Sequence, residues 1–218
     1  IINQVCGSGL RSVAAGYQAI MSNDANVVVA GGQESMTNAP HAIHFRNSKK
    51  FKKSNLIDTM IKDGLWDAFN GYHMGITAEN VATKWEITRK DQDDFALSSQ
   101  VKAEQAQKDG KFKNEIIPII LKSKKSNIKF EIDEHPRAGI TMEKLSRLTP
   151  VFKKKGTVTA GNSSGINDGA AAVVLMRQNE CKKRNLDPLA KIVSWATCGV
   201  DPSLMGSGPI PASKKALK

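Results

Sequence analysis

Long apolar runs are missing from this chain. The longest, residues 27–30 and 170–176, fall far short of the ~20 residues that a membrane-spanning helix needs. Aromatic residues make up only 6% of the sequence, and they are not interleaved with lysines as on a nucleic-acid surface. Cysteine is scarce too. The spacing of Cys6, Cys181 and Cys198 suits neither a disulfide framework nor a zinc site, so no metal is expected, and a reducing, cytoplasmic setting is. No signal or transit peptide is recognisable, and the first residue is Ile1 rather than Met. Residues 211–218 read as the opening turns of a helix, so both ends are expected to be truncated.

What is present is a chain of 218 residues, 40% hydrophobic, with room for one or two domains and a sizeable core. The net charge of +11 is mostly lysine, in clusters at Lys49-Lys50, Lys52-Lys53, Lys124-Lys125, Lys153-Lys154-Lys155 and Lys182-Lys183. Scattered clusters read as solvated loops, with part of the charge suited to a polyanionic small molecule. A nucleic-acid-binding module is the alternative, supported by charge alone.

Apolar residues at Leu10, Val13, Ala14, Tyr17, Ile20 and Met21 have helical spacing over 9–21. Residues 27–30 follow as a short buried strand closed by Gly31-Gly32, which indicates an α/β layer. From about 35 to 163 the texture becomes polar and irregular, as in an inserted subdomain. There, Thr77 and Glu79 are expected to open one helix, and Thr88 to cap a second that stops at Gly110. Residues 115–121 and 128–132 read as a hairpin. A buried strand is expected over 170–176, a short polar helix over 179–184, and β-rich structure over 190–200.

Cys6 precedes a Gly-Ser-Gly turn that opens a helix, in the segment Asn3-Gln-Val-Cys6-Gly-Ser-Gly9-Leu-Arg. The positive end of a helix favours a thiolate, and the thiolate is the nucleophile. Small neighbours admit a carbonyl, and free N–H groups of the first turn can stabilise an oxyanion. A buried structural cysteine at a tight turn is the plainer alternative.

That segment, followed by Val28-Val-Ala-Gly-Gly-Gln-Glu34-Ser-Met, resembles the nucleophile segment of the thiolase family. The resemblance continues through Asp67-Ala-Phe-Asn-Gly-Tyr-His73-Met-Gly-Ile-Thr-Ala-Glu-Asn80 and Gly156-Thr-Val-Thr-Ala-Gly-Asn162-Ser-Ser-Gly-Ile-Asn-Asp-Gly169. It ends at Ile192-Val-Ser-Trp-Ala-Thr and Met205-Gly-Ser-Gly-Pro-Ile-Pro211. The blocks span nearly the whole chain in the family's order.

The resemblance implies an α/β fold, the five-layer αβαβα thiolase architecture present in part, with an inserted α+β loop domain. It assigns 1–35 and 167–187 to the N-terminal half, 36–166 to the CoA-binding loop domain, and 188–218 to the start of the C-terminal half. Cys6 matches the family's acyl-accepting nucleophile. His73 and Met74 match a pair lining the pocket near the thioester, and are more similar to the short-chain, acetoacetyl-CoA type than to the long-chain degradative type. Leu65 and Phe152 match apolar tunnel residues, Arg137 a CoA-contacting arginine, Ser164 a serine bonded to the pantetheine amide, and Met205 a residue near the active site. The implied partners are acetyl-CoA, acetoacetyl-CoA and coenzyme A, the last as substrate or product with no permanently bound cofactor. A homodimer or homotetramer is implied for the complete protein, without nucleic acid or membrane.

Three family segments do not occur in these residues: the Gly-His-Pro histidine, the Cys-x-Gly base and the Asn-Glu-Ala-Phe asparagine. His135-Pro136 follows Asp133-Glu134 in the inserted subdomain and is the wrong site, and Cys181 and Cys198 lack the Cys-x-Gly context. The chain alone is therefore expected to lack carbon–carbon bond-forming activity. The competing readings are a longer-chain 3-ketoacyl-CoA thiolase or ketoacyl synthase, a non-catalytic CoA-binding module, and a cysteine hydrolase. The last needs a paired histidine, and His41, His44, His73 and His135 show no such context.

Overall fold

The computed structural model describes residues 1–44, 46, 56–122 and 126–218. The lysine clusters at 49–50, 52–53 and 124–125 lie outside the described residues, as does most of the hairpin turn. The chain divides into two compact units, residues 1–74 with 166–218, and residues 75–165.

In the first unit, helix α1 (Ser8–Met21) lies against a ribbon of two nine-residue antiparallel strands, β1 (Val27–Ser35) and β8 (Asp168–Met176). Gly16 makes this packing possible. A methyl group there would stand 2.9 Å from Leu175 and 3.0 Å from Val28, so the helix accepts a residue that otherwise weakens it by about 1 kcal/mol. The C-terminus of α1 is closed by Arg177, whose guanidinium donates to the Ile20 carbonyl and, at 2.7 Å, to Asn23 Oδ1. Asp168 accepts from the Thr37 N–H at 3.0 Å and so pins the single turn Met36–Asn38 that follows β1.

The ribbon corrects two sequence expectations. β1 does not stop at Gly31-Gly32 but runs through them in register with Ala172 and Ala171. A Cβ on Gly31 would lie 2.2 Å from the Ala171 carbonyl oxygen, so these glycines permit close pairing rather than a turn. Nor is the ribbon buried on both sides. α1 covers Ala30, but Val29 and Val174 remain 72% and 60% exposed. Residues 190–200, expected to be β-rich, form no strand: β-type residues need a partner ladder, and none among the described residues pairs with them. Short strands β2 (His41–Ala42) and β3 (Ile57–Asp58) pair, as do β4 (Trp66–Asp67) and β5 (Tyr72–His73). Two short helices, α5 (Gln178–Lys183) and α6 (Pro209–Ala216), complete the unit.

The second unit begins one residue into α2 (Met74–Lys84) and contains α3 (Arg89–Lys108), the hairpin β6 (Ile119–Lys122) and β7 (Asn127–Phe130), and α4 (Met142–Ser146). Thr88 caps α3 as expected: its hydroxyl accepts from the Asp91 N–H, and the Asp91 carboxylate accepts from the Thr88 N–H. The expectation for α2 is corrected. The helix opens at Met74, and Thr77 and Glu79 are buried inside it.

Glu79, 4% exposed, accepts from the N–H groups of Thr157 and Val158, both at 2.8 Å, and from the Thr157 hydroxyl at 3.0 Å. Gly156 clears the space, because a Cβ there would lie 2.2 Å from Glu79 Oε1. Asn162 binds the same segment from its other end. It accepts from the Thr159 N–H at 2.7 Å and donates to Asp93 Oδ1 at 2.9 Å. Asp93 is held in turn by Arg89 Nε at 2.7 Å, and the Arg89 guanidinium donates to the carbonyls of Leu145 and Leu148. Glu79→Ala leaves the buried Val158 N–H without an acceptor and is expected to destabilise the chain by about 3 kcal/mol in urea unfolding.

Candidate active site

Cys6, the candidate nucleophile, is set in a turn built by short polar side chains. Val5–Gly7 form a single 3-10 turn that leads directly into α1. Asn3 Oδ1 accepts from the Val5 N–H at 2.8 Å, and Ser8 Oγ accepts from the Gln4 N–H at 2.8 Å while donating to the Val5 carbonyl at 2.7 Å. Val5 is held at φ +50, a left-handed conformation that β-branched residues rarely adopt. Cys6, next in the chain, is exposed. The start of α1 lies close over β1, with Ser12 donating to the Gly31 carbonyl at 2.8 Å. Cys181 is buried in α5 and Cys198 is half-buried, so Cys6 alone of the three is exposed.

Leu65, His73 and Met74 are brought together by a hairpin. Trp66 pairs with His73 and Asp67 with Tyr72, and the Met74 N–H donates to the Leu65 carbonyl at 2.8 Å. The four-residue connection is folded by Asp67, which accepts from the Phe69 and Asn70 N–H groups and, at 2.7 Å, from Asn70 Nδ2. The Asn70 side chain, followed by those backbone donors, holds the Asp67 carboxyl below its ordinary value. Gly71, at φ +75, supplies the left-handed residue of the turn. Burial pushes the His73 imidazole below its ordinary value near 6.5, which favours the neutral ring. Met205 sits in a separate 3-10 turn of this unit, Pro202–Ser207, and is exposed.

The other three candidates belong to the second unit, on three different segments. The Phe152 ring lies against Gly75, where an added Cβ would be 2.2 Å from it. Ser164 is exposed and follows Asn162 and Ser163, both of which bond back to the Thr159 backbone. Arg137 is exposed in the irregular segment after the hairpin, and its N–H donates to Gln100 Oε1 at 2.9 Å. Among the described residues, no three His, Cys, Asp or Glu side chains converge to hold a metal ion, and no helix is long and apolar enough to cross a membrane.

Residues that sequence reasoning missed here are supports. Asp67 could have been found from its position ahead of Asn-Gly, a turn pattern in which an acidic side chain accepts from backbone two residues on. Gly75 and Glu79 had no such local mark.

The pattern of these segments is shared. The family model for the thiolase N-terminal domain matches residues 1–179. The acetyl-CoA acetyltransferase of Rhizobium meliloti (strain 1021) is 59% identical across all of this chain. The chain belongs to the thiolase family. A cytosolic acetyl-CoA acetyltransferase of Mus musculus is 51% identical over 98% of the chain, which covers 54% of that relative. Among solved thiolase-fold structures, the Bacillus anthracis acetyl-CoA acetyltransferase has a TM-score of 0.94 at 42% identity, covering 99% of this chain and 55% of that one. Human mitochondrial 3-ketoacyl-CoA thiolase has a TM-score of 0.92 at 43% identity, with the same coverages of 99% and 55%. The chain thus has the α/β thiolase fold in part, and it spans 55% of the length of the Rhizobium relative.

Two outcomes follow for this thiolase chain. Gly75→Ala would stabilise an exposed helix, but against the Phe152 ring it is expected to cost about 1–3 kcal/mol, with partial recovery in the pair Gly75→Ala/Phe152→Leu, by urea unfolding. For His73, the folded value is depressed, so the unfolded chain binds more protons below pH ~6.5. The contribution of neutral His73 is present above that pH and lost as pH falls. The urea midpoint should drop between about pH 7.5 and 5.5, and His73→Gln should flatten that part of the profile.

Proposed function

We propose that the protein to which these residues belong is an acetyl-CoA C-acetyltransferase, joining two acetyl-CoA molecules reversibly into acetoacetyl-CoA and coenzyme A. The observation that carries this reading is Cys6, exposed at a polar turn that runs straight into α1. In the first half-reaction the Cys6 thiolate attacks the thioester carbonyl of acetyl-CoA. The bond from that carbon to the Cys6 sulfur forms, the bond to the CoA sulfur breaks, and CoA leaves as the thiol after taking up a proton. In the second, another acetyl-CoA gives up a methyl proton, its carbon attacks the acetyl-Cys6 carbonyl, and the Cys6 thiolate is released.

His73 and Met74 line the pocket near the thioester, Leu65 and Phe152 the tunnel, and Met205 the neighbourhood of the reacting carbon. Arg137 meets the nucleotide end of CoA and Ser164 the pantetheine amide. On this reading residues 36–166 are the loop domain that supplies most of the CoA site, CoA passes through as substrate and product, and the protein works in the cytoplasm as a homodimer or homotetramer. The similarity to the mitochondrial 3-ketoacyl-CoA thiolase supports a second reading, a longer-chain 3-oxoacyl-CoA substrate. Relative rates on acetoacetyl-CoA and a long-chain 3-oxoacyl-CoA separate the two.

Incubation with acetyl-CoA is expected to add one acetyl group to the chain, by intact mass, and none to Cys6→Ala. Acetylation that persists in Cys6→Ala overturns the role of Cys6. The 218-residue chain is expected to form no acetoacetyl-CoA, because the Gly-His-Pro, Cys-x-Gly and Asn-Glu-Ala-Phe segments do not occur in it, and measurable turnover would contradict that.

A further inference from the structure

Residues 133–139 form neither helix nor strand, yet their backbone is tied down along α3. Gln107 Nε2 donates to the Asp133 carbonyl at 3.1 Å. The Arg137 N–H donates to Gln100 Oε1 at 2.9 Å, and the Gly139 N–H to Glu104 Oε2 at 3.2 Å. Lys144 Nζ closes the segment by donating to the Gly139 carbonyl at 3.2 Å. The three α3 residues are spaced i, i+4, i+7, which places them on one stripe of the helix.

All three are half-buried. A covered helical stripe is usually apolar. This one is polar because it covers backbone, whose N–H and C=O groups need partners. The segment runs back along the helix from Gln107 to Gln100 and then reverses at Gly139, which sits at φ +67, a conformation glycine adopts without strain. Glu104 is itself steadied by Lys108, whose Nζ donates to its other oxygen at 2.6 Å. That bond first, and the Gly139 N–H second, hold the Glu104 carboxyl below its ordinary value, so it remains an acceptor at neutral pH. Only the backbone of Arg137 is engaged: among the described residues its guanidinium has no hydrogen-bond or ion-pair partner.

We infer that Gln100 is a positioning residue for coenzyme A binding: by receiving the Arg137 N–H it fixes the point from which the guanidinium is aimed at the nucleotide, with Glu104 and Gln107 holding the flanks. The inference rests on the assignment of Arg137 as a nucleotide contact. Such a residue contributes through direction. A guanidinium on a loose segment must lose more rotational freedom when it meets a phosphate or a base than one on a fixed backbone.

The test uses the full chain. Amide exchange at Arg137 is followed alongside titrations with coenzyme A and with 4′-phosphopantetheine, which lacks the nucleotide. Gln100→Leu is expected to speed exchange at Arg137 and weaken coenzyme A binding about five-fold, with phosphopantetheine unaffected. Gln100→Glu, which keeps an acceptor, should restore both. Arg137→Ala should weaken coenzyme A binding comparably, and adding Gln100→Leu to it should change nothing further. Unaltered exchange in Gln100→Leu, equal loss for both ligands, or additive losses in the double variant would each overturn the inference. Equal coenzyme A affinity in Arg137→Ala and the unaltered chain would sink the Arg137 assignment itself, and the inference with it.

Discussion

In the second unit the carboxylate of Glu79, shut off from water, is matched to two backbone N–H groups and a hydroxyl that lie 78 and 79 residues further along the chain. A buried carboxylate is tolerable only when its lone pairs are taken up, and the donors are equally dependent on it. The bond set therefore ties α2 to residues 156–158 as a single choice, made or not made. Asn162 and Asp93 carry the tie to α3, and Arg89 carries it to the carbonyls at the end of α4. Phe152 and Ser164 lie on either side of this strapped segment. Their placement follows from polar bonds that leave little choice of register, more than from a large apolar core.

The first unit places its candidates by turns instead. Asn3, Ser8 and Asp67 each spend a short polar side chain on backbone only a few residues away. Turns of this kind can hold a residue such as Val5 in a conformation it would not choose, because several local bonds over-determine it. For the role proposed for Cys6, a covalent nucleophile, that is useful. The sulfur is presented on a fixed stem while the group around it stays small and open.

The elements legible in the sequence were those with local causes. α1 shows its spacing of apolar residues, α3 its Thr88–Asp91 cap, the β6–β7 hairpin its alternation, and Cys6 its glycine-rich turn. Glu79 was misread because a polar residue near a helix start is usually a capping or solvated group, and nothing nearby reveals acceptors needed across the unit. Gly31 and Gly32 were misread as a stop because the strand that accepts their closeness comes some 140 residues later. The grouping of Leu65 with His73 and Met74 required the register of a hairpin whose strands are two residues each. Residues 190–200 have the composition of a strand, but composition cannot supply the partner.

The β1–β8 ribbon has a consequence for how the chain behaves in solution. Among the described residues no further strand pairs with either of its outer edges, and one of its faces carries exposed valines. A strand edge of this length is a template for another strand, whether from the rest of the protein or from a second molecule. The net charge of +11 opposes such meetings by mutual repulsion. That repulsion is largely screened beyond a Debye length of about 8 Å at physiological ionic strength, and its reach shrinks further with added salt. The lysine-rich charge and the ribbon's strand edges therefore act in opposite directions, and added salt shifts the balance toward the edges.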